Sequence, residues 1–243
     1  MKILEIYKEY QIMPQLQEHM LRVAGVADLI ISNIPNPSTF APNFIKISSG
    51  KKATADKSSL ILDREDVVKA CLLHDMGNIV KFDFEYTKQF MSDLTNLDVW
   101  QQVQKEFSKK YGSSSHEATG NIIKEIGISE RVLELVDCVG FHQGPDNAAT
   151  SDFAKKICAY SDMRAEPYGV VSLEERFKGL RDRYRQHPEG AKNRVVFENS
   201  LREIEKQIFE HCKIKPEDIT DESIKGNLEI LRNYEIYPAP IPV

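Results

Sequence analysis

Apolar residues recur along this chain at helical rather than alternating spacing. From Pro14 to Ile31, Leu16, Met20, Val23, Ala27 and Ile30 form one stripe, with Pro14 placed in the first turn of the helix they predict. His19 falls on that stripe, three residues after Leu16 and four before Val23, and so points inward. Before it, Ile3, Leu4, Ile6 and Tyr7 predict a short helix that ends ahead of Pro14. A second firm helix spans Asp63 to Leu73, where Val67, Val68, Cys71 and Leu72 recur at helical spacing. It runs into His74 and Asp75. Adjacent helical residues diverge by roughly 100°, so this pair can bracket a single point at the helix end, and Gly77 permits a sharp exit.

Between these helices the pattern stops. Pro35, Pro37 and Pro42 break it, and Ser48 to Lys57 is polar and turn-like. The flanks Phe44–Ile47 and Leu60–Leu62 are spaced to pair as a short hairpin. An insertion of this length, about 33–62, is expected to serve as a mobile lid or a homodimer contact; Lys46, Lys51, Lys52 and Lys57 make it cationic. Further on, helices are predicted from Leu97 through Phe107, closed by Gly112, and from His116 to Ile126 before Gly127. Another runs from Glu130 to Phe141, capped by Ser129, and its stripe Val132, Leu135 and Val139 leads to His142. Gly144 to Asn147 reads as a turn. Ser151 then opens a helix on which Ala154, Cys158 and Asp162 share one face. Helices over Leu173–Arg185, Val195–His211 and Glu217–Tyr234 complete an all-α chain, read as one domain over 1–243 with a core at about 14–165 and a C-terminal helical extension at about 166–243.

At 243 residues and 41% hydrophobic, the chain has material for one substantial core. A formal net charge of −5 disfavours extensive nucleic-acid or anionic-membrane binding. There is no apolar run of about 18 residues and no basic-then-apolar leader. Cys71, Cys138, Cys158 and Cys212 lie far apart without a Cys-x-x-Cys, as in a reduced cytoplasmic protein.

Six polar residues sit on or at the ends of apolar helix faces: His19, His74, Asp75, His116, His142 and Asp162. A His-Asp pair alone reads more simply as a core histidine with a capping aspartate. The further histidines change that reading, because unpartnered polar groups on apolar faces are costly. Four imidazoles and two carboxylates suit a divalent cation, in octahedral rather than tetrahedral geometry: iron or manganese first, then zinc, magnesium, nickel or cobalt. His187 and His211 lie in charged surroundings and read as surface residues.

In the order His19, His74-Asp75, Asp162, with Leu72-Leu-His-Asp-Met-Gly77 at its centre, the chain resembles the HD-domain superfamily of helical, metal-dependent phosphohydrolases. His116 and His142 match the two additional histidines of its dinuclear members. That resemblance implies a first metal held by His19, His74, Asp75 and Asp162. It implies a second held by His116 and His142, with Asp75 bridging the two. The chain departs from the pattern in two places. Asn78 stands where many members have Lys, with Lys81 three residues on, and the 33–62 insertion stretches the interval from His19 to His74.

Two such ions would deprotonate a bridging water near neutral pH and stabilise charge on an attacked phosphoryl group. The expected substrate is a phosphoester or phosphoanhydride of a nucleotide or similar small phosphorylated metabolite. Asp75 sets the intermetal distance, and Lys81 and Arg164 are candidate phosphate contacts. Arg22, one turn after His19, is placed to pair with a ligand carboxylate. Two alternatives share the pattern: a mixed-valence di-iron oxygenase, and a non-catalytic nucleotide-binding module.

Overall fold

The computed structural model describes residues 1–35, 62–87, 95–166, 168–183 and 191–238. Most of the insertion, including its hairpin, its lysines and its expected role as a lid or dimer contact, lies outside the described residues, as does His187. The described chain is helical: α1 (Ile3–Glu9), α2 (Pro14–Ser32), α3 (Arg64–Leu73), α4 (Phe84–Thr87), α5 (Leu97–Tyr111), α6 (Ser115–Ile126), α7 (Glu130–Asp137), α8 (Gly144–Ala149), α9 (Phe153–Met163), α10 (Leu173–Arg183), α11 (Ala191–Phe209) and α12 (Asp221–Leu231). A two-residue antiparallel pair, β1 (Ala165–Glu166) with β2 (Gly169–Val170), turns the chain after α9. The all-α expectation holds. Among the described residues no helix is long and apolar enough to cross a membrane.

Helix α2 is the axis of the molecule. It starts with Pro14 at its N-terminus, as its spacing predicts, but it is buried well beyond one stripe. Helices α3 and α9 pack on one side of it and α12 on another. Gly25 makes room for α12, since a Cβ there would lie 3.2 Å from Leu228 Cδ2. Helix α3 opens on Asp63, whose carboxylate accepts from the Glu65 and Asp66 amides. Two carbonyls of its last turn are also satisfied. The Tyr7 hydroxyl donates to Leu72 O at 2.6 Å, and His74 Nδ1 lies 2.9 Å from Cys71 O.

Three elements depart from the sequence pattern. The stripe Val132, Leu135, Val139 carries α7 to Phe141, yet the helix ends at Asp137. The Asn147 amide takes the Cys138 carbonyl at 2.8 Å, and extended Gly140 turns the chain into a 3-10 turn at Phe141–Gln143. Gly144–Asn147, read as a turn, instead begins α8, because Pro145 stands in the first helical turn, where its missing N–H costs nothing. Asp152 rather than Ser151 caps α9, accepting from the Ala154 amide at 3.1 Å. One apolar core of buried residues extends from Ile3 to Ile236.

Candidate metal centre

Three mutually packed helices converge on one point. Helix α2 contributes His19, the C-terminal end of α3 contributes His74, and the penultimate residue of α9 is Asp162. One ligand atom from each of His19, His74 and Asp162 lies within 4.8 Å of the others. His19 Nε2 is 3.0 Å and His74 Nε2 3.3 Å from Asp162 Oδ1. Asp75 stands beside them, its Oδ2 3.7 Å from both imidazole Nε2 atoms.

The surroundings orient these groups. His74 is buried, and the bond from its Nδ1 to the Cys71 carbonyl assigns the proton to Nδ1 and aims Nε2 at the carboxylates. That Nε2 has no hydrogen-bond partner of good geometry, despite the nearby Asp162 oxygen. Asp75 Oδ2 accepts from Asn78 Nδ2 at 2.7 Å. Asn78, the residue standing where a lysine is more usual in the resemblance, is therefore the group that holds Asp75. Its short segment is pinned by Gln104 of α5, whose amide reaches the Ile79 and Phe82 carbonyls at 2.8 Å.

Burial works against charge on His74, but the Asp75 and Asp162 carboxylates outweigh it and raise its pKa to about 9. For Asp162, withdrawal from water is overcome by the hydrogen bond with His19 and the facing His74 imidazole, which hold its carboxyl well below the usual range. A buried imidazole with an unpartnered nitrogen, a second imidazole and two carboxylates form a donor set suited to a divalent cation.

A cavity of about 730 Å³ opens on this cluster and is lined by His19, His74, Asp75 and Asp162 together. Lys81, exposed, lies on its wall as the sequence suggests. His142 is also on the wall, in the exposed 3-10 turn, edge-on to Phe141. His116 is not brought to the cluster. It sits in the first turn of α6 with its side chain 71% exposed, 3.6 Å from Asp137 Oδ1. Arg164 is elsewhere too: 3% exposed, it donates to Val171 O, Tyr160 Oη, Pro216 O and Ile219 O, so its donors secure the fold rather than face phosphate. Arg22 approaches Asp221 of α12 at 3.7 Å, because α12 packs over that face of α2.

Several lining residues went unread in the sequence. Gln15, four residues before His19 and so on the same helix face, carried a usable signal. Arg176, Arg183 and Leu180 of α10, and Arg194 of α11, carried none: those helices read as a C-terminal helical extension, and only the chain's return brings them, with Phe197 from the apolar stripe of α11, over the site.

Compared with known protein families, residues 16–185 match the HD domain, whose members bind divalent metals and include many metal-dependent phosphohydrolases. No curated protein and no solved structure gives a match.

Proposed function

We propose that this chain, which belongs to the HD-domain family, is a metal-dependent phosphohydrolase acting on a nucleotide or similar small phosphorylated metabolite. The observation that carries the reading is His74: its Nδ1 is committed to Cys71 O, while its buried, unpartnered Nε2 faces His19, Asp75 and Asp162. His19, His74 and Asp162, with Asp75 beside them, would hold a divalent ion, which when bound would supply Lewis acidity for attack of water on phosphorus. Asp75, steadied by Asn78, accepts the proton of the attacking water. The exposed Lys81 ammonium on the cavity wall balances charge on the phosphoryl oxygens.

The cavity volume supports a mononucleotide-sized substrate rather than a polymer. Phe141 and Phe197, with ring centroids 4.4 Å apart at 31°, offer a planar group an aromatic wall. The position of His116 on α6, paired with Asp137, supports one ion per chain. The dinuclear hydrolase and the di-iron oxygenase both need a second set of ligands, and His116 would have to leave Asp137 to supply it.

The test is elemental analysis of protein purified anaerobically, followed by a screen of nucleotides and phosphomonoesters with manganese or iron(II) added. The expected outcome is about one ion per chain and phosphate release without oxygen consumption, both lost in Asp162→Ala. Turnover that consumes dioxygen and releases no phosphate would overturn the hydrolase reading.

A further inference from the structure

Buried side-chain atoms without a hydrogen-bond partner on residues that line the cavity include His19 Nδ1, His74 Nε2, Gln15 Oε1 and Arg176 Nε. A cation accounts for the His74 nitrogen. It does not account for Arg176, a guanidinium N–H donor that no cation can satisfy.

Arg176 is 9% exposed. Leu173 and Phe177, both buried, anchor its part of α10 in the core, so the arginine stands on a rigid element. Among the described residues its hydrogen-bond partner is Glu166 of β1, whose Oε1 accepts from Nη1 at 3.3 Å and holds one end of the guanidinium. Its Nε has no acceptor and is itself buried, in a residue that lines the cavity. A buried, charged donor left unsatisfied is costly. An oxyanion in the cavity would satisfy it once the guanidinium turns its Nε edge to the opening. Gln15, one turn before His19 on α2, presents an unpartnered acceptor near the metal cluster, suited to a hydroxyl donor. An anionic oxygen matched by arginine and a hydroxyl matched by an amide oxygen together describe a phosphorylated polyol or sugar.

We infer that Arg176 is the residue that binds the phosphoryl oxygens of the substrate, and that Gln15 accepts from a hydroxyl of its sugar-like part. The assignment rests on the phosphohydrolase reading for its substrate, but not for its anion binding. It places phosphate recognition on α10, beyond the helices that supply the metal ligands.

Inorganic phosphate is the probe, titrated calorimetrically into the full chain in manganese-loaded and metal-stripped forms. Arg176→Gln is expected to weaken phosphate binding about tenfold or more in both forms while leaving metal content at the wild-type value. Arg176→Lys keeps the charge and the packed stem and secures a folded variant. It is expected to lose about fivefold, because the planar fork is gone. Glu166→Gln, which removes only the orienting carboxylate, should retain binding within about threefold. Phosphate affinity unchanged in Arg176→Lys and Arg176→Gln, or no phosphate binding by the wild-type protein in either form, overturns the inference. Arginine-dependent phosphate binding in a protein that takes up no metal would sink the metal-centre reading and leave this one standing. Metal-dependent hydrolysis indifferent to Arg176 would do the reverse.

Discussion

His74 is a proton site that a cation can take over. Its pKa of about 9 belongs to an imidazolium held between the Asp75 and Asp162 carboxylates, and coordination requires the neutral ring. Without metal, that raised pKa contributes stability in full below about pH 6.5 and loses it as the pH rises through about 9. Metal affinity has the opposite dependence. Each ion bound at pH 7.5 should expel about one proton from His74, so apparent affinity should climb up to tenfold per pH unit and level off above about pH 9. Asp162 is already ionised and adds nothing to this release. Titrating manganese calorimetrically in buffers of different ionisation enthalpy measures the proton count. A count of zero would show that His74 is neutral before metal arrives.

At the scale of elements, the site depends on how α3 ends. The helix stops at Leu73, and the chain then turns through Gly77, whose amide donates to Thr119 Oγ1 of α6 at 2.9 Å. Contact with α6 is so close that a Cβ on Gly77 would stand 2.4 Å from Thr119 N and 2.6 Å from Ala118 Cβ. Glycine is needed there for space rather than for an unusual dihedral: its φ is −96°. Gly77→Ala should force α6 away from the turn that carries Asp75 and Asn78. A cost of about 1–3 kcal/mol is expected, together with reduced metal content. Urea denaturation alongside elemental analysis checks both, and wild-type values in the two assays would contradict the close approach.

In the whole molecule, the C-terminal helices are part of the body that holds the site. Helix α12 covers α2, and α10 and α11 supply cavity-lining residues. Arg164, two residues after Asp162, is the fastener: its bonds to Pro216 O and Ile219 O tie the end of α9 to the segment leading into α12. Arg164→Met keeps the length of the stem but strands those acceptors in a buried place. A loss of about 3 kcal/mol or more is expected in urea unfolding, with metal content per folded chain unchanged. Normal stability coupled to lost phosphate binding would instead return Arg164 to the substrate.

Local periodicity and end signals were enough to determine the helices that carry the centre. Pro14 at the start of α2, Asp63 as the cap of α3 and Gly127 in left-handed conformation after α6 act within one or two turns of chain, so their physics is readable from neighbours alone. The inward placement of His19, His74 and Asp162 followed from the same periodicity. Tertiary packing decided the rest, because it sets which faces meet. It turned His116 towards Asp137, drew Arg164 into the core against carbonyls some fifty residues away, let Asn147 cut α7 short, and folded Arg176 over the cavity. A polar side chain's partner is fixed by the burial cost of leaving it unmatched, and that cost depends on the whole chain's return path rather than on spacing along it.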